Sequence, residues 1–511
     1  MLVFAAGLTG CSWIGGFGQE RSTRESRQLY TAAFDKITHY YIEPVNAQSL
    51  SMAGLAKLTS LDSDIAVKPE GGRLTLLHAG KPLTEFMTPA PDDNDGWGNL
   101  TAAALESARA ASPKIAATST EDLDKTVLDG VVGTLDRFSR YAAPMAAQDI
   151  RAERNGFEGI GVTLDADESV VRVLSVIPGG PAESAGIEAN DLILAIDGAK
   201  VAAMSREEVI NRLRGAPGSH VTISIQRTAT SEPIVLSIAR AHIVLPTVAT
   251  HREGGVAVFR LSSFNQDSGN ELFNAVKDAH DDPDHKLSGI VLDLRDDPGG
   301  LVDQSVAVAS LFLSGGTVVS TRGRAEGSQQ QFPVLPSHLT DGIPMVVLVN
   351  GGSASASEIV AAALQDTGRA VVIGTSSYGK GTVQDVFDDL PNEGELTITW
   401  ARLIPPGGYI LHEHGVVPSI CTSGLSDDAD AIARVIEQGT SQATGIAARP
   451  RAALDEPGWQ SLRQTCPPER ADRAADLKIA ERLFADPALY GRALASIPST
   501  PARMAAAPPT P

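Results

Sequence analysis

What the chain has little of narrows its class first. Basic residues are outnumbered, 42 Lys+Arg against 62 Asp+Glu, for a formal charge of −20. No basic stripe along the chain can neutralise phosphates, which excludes nucleic acid as a partner. Past its first residues no segment reaches the ~20 consecutive apolar residues that a spanning helix needs, so a membrane contact would have to come through an anchor. Cysteine is scarce, with three in 511 residues. Setting Cys11 aside leaves Cys421 and Cys466, either one disulfide or two buried thiols. His412 and His414 alternate on a strand-like segment, but no third ligand stands at a recognisable spacing. Neither a metal nor any other cofactor is therefore expected.

What is present is ample material for several cores. Hydrophobic residues make up 42% and charged residues 20%, ordinary for a globular protein, and the length implies several domains. Residues 1–23 form a leader whose apolar run ends in Leu8-Thr9-Gly10-Cys11. This resembles the lipobox of bacterial lipoproteins and would make Cys11 a lipidated N-terminus; an uncleaved apolar leader is the alternative. The usual basic region is missing, consistent with a start upstream of Met1.

Residues 24–150 are Ala-rich, with apolar positions at helical spacing in RQLYTAAFDKITHYYI and DLDKTVLDGVVGTLDRFSRY. Between these, GGRLTLLHAGKPL reads as a hairpin and TPAPDDNDGWG as turns, together an insertion in a helical domain. From 151 to 242 the period becomes that of strands, separated by Gly, Pro and Asp turns, with helical pieces at PAESAG and SREEVINRLRG. From 243 to 425 strands and helices alternate, the mark of buried parallel strands in an α/β core. Residues 426–495 hold two helical stretches, and 496–511 form a Pro- and Ala-rich tail expected to be disordered.

Two segments carry chemistry. MVVLVN runs into Gly351-Gly352-Ser353-Ala354-Ser355-Ala356-Ser357 and then into the helical SEIVAAALQ. A strand-to-helix turn exposes a side chain and aims helix N–H groups at whatever binds there, so it suits a nucleophile, although Ser and Ala before a helix are by themselves an ordinary N-cap. Downstream, Lys380 stands between Gly379 and Gly381. Desolvation can make such a lysine a base for a serine, while a lysine in a Gly-rich turn is by itself an ordinary surface residue.

Together these segments resemble the C-terminal processing peptidases, or tail-specific proteases. SASASEI, QDTGRA and YGKGTVQ follow that family's signature in order, and 25 residues separate Ser355 from Lys380, as in the family. The resemblance implies a serine endopeptidase with Ser355 as nucleophile, Lys380 as base and Gln384 holding the lysine, while Ser353 and Ser357 read as turn and cap residues. Asp366 matches a family aspartate; eleven residues past Ser355 on one helix, it lies about 16 Å away along the axis, which leaves it a supporting role. VLDLRDDPGGL resembles the family's DLRxNxGG segment with Asp297 in place of Asn, and implies an oxyanion hole from the N–H of Gly299 or Gly300 together with that of Ala356.

Within 151–242, Gly159-Ile160-Gly161-Val162 and PAESAGIEANDLILAIDG look like a PDZ domain, which binds a C-terminal peptide at a sheet edge. The fold expected is thus multi-domain α+β: a helical N-terminal region, a PDZ β-domain, an α/β catalytic core of crotonase/ClpP-like type and a helical C-terminal region. The resemblance further implies protein or peptide substrates, a helical-repeat adaptor or self-association as further partners, and a periplasmic place in the bacterial envelope, held to the outer membrane through lipid if Cys11 is modified. An inactive PDZ scaffold and a crotonase-like acyl enzyme are the competing readings.

Overall fold

The computed structural model describes residues 14–167, 170–227, 232–335, 337–441 and 449–497. Cys11 and nearly all of the tail 496–511 lie outside them.

In the N-terminal region the helices Ile14–Tyr40, Ala47–Ala56, Asn94–Ala111 and Thr120–Val132 bury Tyr30, Phe34, Trp97 and Leu128 together. Asn46, Asp93 and Ser119 start the last three by accepting a backbone N–H two or three residues into the helix. Asp93 explains why TPAPDDNDGWG is not wholly turn: its carboxylate accepts from Gly96 and the chain turns helical there. The expected hairpin is a three-stranded sheet, Ile65–Glu70, Arg73–His78 and Lys81–Met87. The helical core also takes in Tyr141, Leu390, Leu396 and Ile398, which seats it on the catalytic part of the chain.

The PDZ domain has its own core around Ile160, Val173, Ile193 and Ile223. Its sheet runs Ile234–Ala239, His220–Gln226, Leu192–Ile196, Val170–Val176 and Val162–Asp167, so Val162–Asp167 is an edge strand. The helix Arg206–Leu213 flanks that edge.

The catalytic region centres on a six-stranded sheet in the order Val248–Glu253, Val256–Leu261, Gly289–Asp293, Met345–Val349, Val371–Gly374 and Ile420–Cys421. The first pair is antiparallel and the rest parallel. Alternate residues point to two cores: Leu292, Val347 and Val372 to one, and Val291, Val346 and Ile373 to the other. Both faces being covered explains why these strands read as unbroken apolar runs. The second core is closed by Ile432, Ile436, Ile479 and Leu483, so the C-terminal helices are a layer of the catalytic unit.

DLKIAERLFADPALYGRAL splits into Ala474–Ala485 and Pro487–Ala495 at Asp486-Pro487, where Asp486 caps the second helix. A further helix, Glu456–Gln464, went unforeseen; it places Trp459 and Leu462 in the first core. Just beyond it Cys466 forms a disulfide with Cys421, deciding between the two cysteine alternatives.

Candidate active site

Ligands on parallel sheets gather beyond the carboxyl ends of the strands. Here three neighbouring strands, Gly289–Asp293, Met345–Val349 and Val371–Gly374, open into three turns, residues 294–300, 350–355 and 375–381. All the expected peptidase residues except Asp366 and Gln384 lie on or at the edge of these turns.

The first two turns are stitched together. The Ala354 N–H and the Ser357 hydroxyl both donate to the Asp297 carbonyl at 3.0 Å, and the Ser353 hydroxyl donates to the Leu294 carbonyl at 2.7 Å. Asn350 Oδ1 accepts from Asp296 and Gly352. Ser353 is thus the turn residue it was expected to be. Ser357 is not a cap: the N-cap of the helix Ala356–Asp366 is Ser355 itself.

Ser355 has φ 56° and ψ −113°, a backbone conformation that a non-glycine residue holds only at a cost of about 1–3 kcal/mol. Such strain is the geometry of a nucleophile elbow, which presents a hydroxyl at the head of a helix. Ser355 is nonetheless only 8% exposed.

The third turn is joined to the second by Glu358. This fully buried carboxylate accepts from the Ser355 N–H at 2.9 Å and the Lys380 N–H at 2.8 Å through Oε2. Its Oε1 accepts from the Gly379 N–H at 2.6 Å and the Ser377 hydroxyl at 2.5 Å. Burial pushes the Glu358 pKa up, opposed by these four hydrogen bonds to the ionised form. The Tyr378 N–H adds a bond to the Ser353 carbonyl. Sequence reasoning assigned Glu358 no role, although Ser-x-x-Glu is capping-box spacing and could have drawn attention to it.

Lys380 is half-buried, and its pKa is lowered, first by desolvation and then by Arg140. Its Nζ lies over the Phe138 ring, 5.3 Å from the centroid, and no hydrogen bond joins it to Ser355 Oγ. The fold thus joins the two residues through main chain and Glu358, with the side chains apart in this conformation. Gln384 does not reach the lysine: its amide donates to the Thr382 and Thr399 hydroxyls on the strands Thr382–Phe387 and Glu395–Ile404. The cause is strand geometry: Thr382–Phe387 is the edge of a separate five-stranded sheet, in the order Gln331–Pro333, Thr317–Gly323, Glu395–Ile404 and Thr382–Phe387 with Arg140–Ala142 also on Glu395–Ile404, and Gln384 sits opposite Thr399 there. Asp366 ends the helix that Ser355 begins, accepts the Gly407 N–H at 2.8 Å and has its pKa pushed by burial to about 7.

The candidate oxyanion donors divide unexpectedly. Gly299 has φ 92°, and a Cβ there would fall 2.7 Å from the Ala356 nitrogen, so only glycine lets the turn close on Ser355. The Gly299 N–H, however, is taken by Asp297 Oδ1 at 2.8 Å. This corrects the expectation that either glycine could serve: the Gly300 and Ala356 N–H groups are the two without an acceptor among the described residues.

In the PDZ domain the Ile160 and Gly161 carbonyls accept from Ala182 and Ile177, while their N–H groups have no acceptor among the described residues. They open on a cavity of about 260 Å³ lined by Ile160, Val162, Ile177, Ile210 and Leu213, with Arg206 at its rim. Among the described residues no cluster of His, Cys, Asp and Glu could hold a metal, and no helix is long and apolar enough to cross a membrane.

Two family models match the chain: Peptidase family S41 over residues 255–422 and a PDZ domain over 172–227, the latter beginning after the 159–162 loop. The chain is 38% identical over 302 residues to a carboxy-terminal-processing protease of Bartonella bacilliformis, covering 59% of this chain and 69% of that protein. It is 33% identical over 302 residues to a carboxyl-terminal-processing protease of Synechocystis, covering 57% and 69%. Among solved structures, a photosystem II D1 C-terminal processing protease aligns at 25% identity over 77% of this chain and 92% of its own, with a TM-score of 0.39.

Proposed function

The chain belongs to the carboxy-terminal-processing protease family of serine-type peptidases and carries a PDZ domain, and on that premise we propose that it cleaves proteins captured by their C-termini, with Ser355 as nucleophile and Lys380 as general base. The observation that carries the assignment is Glu358, whose one carboxylate binds the main chain of both residues and so fixes one turn against the other.

In this reading a substrate tail adds to the edge strand Val162–Asp167, its carboxylate on the free Ile160 and Gly161 N–H groups and its last side chain in the aliphatic cavity. At the catalytic turn, Lys380 leaves the Phe138 ring and, in its neutral form, takes the Ser355 proton as Oγ attacks the scissile carbonyl. The oxyanion that forms is met by the Gly300 and Ala356 N–H groups. The lysine then gives its proton to the departing amine, and water releases the acyl group by the reverse path. Gln384 would steady the lysine only after its amide leaves the two threonines, and Asp366 supports the far end of the helix. A place in the bacterial envelope, a lipid on Cys11, a helical-repeat adaptor and self-association extend the same proposal.

Phosphonate labelling tests it. Ser355→Ala is expected to lose both label and proteolysis while still binding a peptide through the PDZ domain, and Ser353→Ala to keep them. Label retained in Ser355→Ala would assign the nucleophile elsewhere, and no label on the wild type would favour an inactive scaffold.

A further inference from the structure

The carboxyl group of Asp297 has no counterpart in the motif the chain otherwise follows, where an asparagine stands. Its side chain is fully buried between the strand Gly289–Asp293 and the head of the helix Ala356–Asp366. One oxygen, Oδ1, accepts the Gly299 N–H, and the other, Oδ2, is buried with no hydrogen-bond partner among the described residues. The Asp297 carbonyl meanwhile receives both Ala354 and Ser357, so the residue is held against the nucleophile turn from its main chain. A buried carboxylate with one hydrogen bond and no cation is an expensive arrangement, whereas a neutral carboxylic acid has the shape and the net charge of asparagine.

Among the described residues no charged group on the neighbouring segments compensates it. On its own turn Arg295 is committed to Asp293, Asp472 and Asp476, and Asp296 carries the same sign of charge. On the helix, Glu358 is held by four donors on the other side of Ser355, and Lys380 on the third turn lies over Phe138.

We propose that Asp297 is a positioning residue of the oxyanion turn that supports the reaction as a neutral acid, and that its ionisation shuts the site down. The inference rests on the catalytic reading of Ser355 given above. In the neutral form Asp297 holds the Gly299–Gly300 turn as asparagine would. Once ionised, it sets a full negative charge in a water-poor setting beside the two N–H groups that must receive an oxyanion, and it grips the Gly299 N–H more strongly. Desolvation places this ionisation in the working range, with the pKa pushed up to about 7 against the pull of the Gly299 hydrogen bond and of the nearby Ser357 hydroxyl.

Two opposing limbs follow in the pH profile of kcat/KM: a rise as Lys380 loses its proton and a fall as Asp297 loses its own. Asp297→Asn and Asp297→Ser both keep a neutral acceptor for the Gly299 N–H, and both should remove the fall. From pH 6 to pH 9 the ratio of Asp297→Asn to wild-type kcat/KM should rise by about tenfold or more, as expected for removing one charge near the oxyanion at an intermediate dielectric. A readout independent of activity is the melting temperature. A carboxyl whose folded pKa is raised loses its stabilisation as pH rises from the unfolded value through the folded one. The wild type should therefore lose stability relative to Asp297→Asn between about pH 4 and 7. An alkaline limb shared by wild type and both variants would overturn the proposal. So would an Asp297→Asn chain that fails to fold, since acid and amide would then not be interchangeable. Activity surviving in Ser355→Ala would instead overturn the catalytic reading, independently of the Asp297 profiles.

Discussion

The PDZ groove and the peptidase crevice both offer backbone N–H groups to a peptide, but they surround those groups differently. In the groove the lining is aliphatic, from Ile160, Val162, Ile210 and Leu213, and the free N–H groups stand at the open end of an edge strand. In the crevice nearly every residue around Ser355 is buried, and the turns are bound to each other by side-chain hydrogen bonds from Ser353, Ser357 and Glu358. Capture tolerates many sequences because main-chain hydrogen bonds and an apolar cavity ask little of the side chains upstream. Bond cleavage tolerates little slack in the donors, which must already be in place as charge develops, while the Lys380 side chain has still to leave Phe138 to reach Ser355. The same chemical group thus serves a permissive role where its neighbours are apolar and open, and an exacting one where they are polar and locked.

The strongest way to test that contrast is to remove the proposed base. Lys380→Arg keeps the positive charge but cannot accept a proton, and kcat should fall by about 10⁴-fold or more with peptide affinity for the PDZ domain unchanged. Single-turnover kinetics beside peptide binding measure both, and near wild-type turnover would remove Lys380 from the mechanism.

A middle-sized effect is expected from loosening the lock without touching the reacting atoms. Glu358→Gln leaves one side of the group a donor facing donors, at a cost of about 1–3 kcal/mol of stability. Because the Ser355 and Lys380 turns are then no longer tied, kcat should drop by about 10²-fold while KM stays level. Loss of stability with kcat intact would reduce Glu358 to a structural residue.

The smallest effect is at the groove. Amidating the C-terminus of a model substrate removes the charge from its contact with the Ile160 and Gly161 N–H groups, and KM should rise about tenfold with kcat unchanged, the loss of one charge-assisted hydrogen bond. An unchanged KM would mean that capture does not run through this loop.

Much of this architecture was legible in the sequence because its signals are local. Strand, tight turn and helix around Ser355 follow from MVVLVN, the small residues and SEIVAAALQ; the 25-residue step to Lys380 and the order of the PDZ pieces needed no coordinates. Other features are contacts between segments far apart in the chain. Glu358 reads as one polar residue of a helix until Ser377, Gly379 and Lys380 arrive from 19 to 22 residues on. Gln384 fits its motif perfectly well and still points to Thr382 and Thr399, because the strand it sits on belongs to the five-stranded sheet. The helix Glu456–Gln464 was missed because it is only nine residues long, carries Pro457 in its first turn and buries one short face around Trp459.

By itself the sequence determined the class of the protein and that a PDZ domain precedes the peptidase part, and it named Ser355 and Lys380 as the candidates for nucleophile and base, since each rests on residue type and spacing along the chain. Only the tertiary structure decided that Cys421 pairs with Cys466, that the terminal helices close the second core, and that, among the described residues, Gly300 rather than Gly299 has a free N–H and Asp297 is buried beside Ser355 without a counter-charge. The reason is physical: hydrogen-bond partnership and desolvation depend on distances through space, and a linear pattern does not carry them.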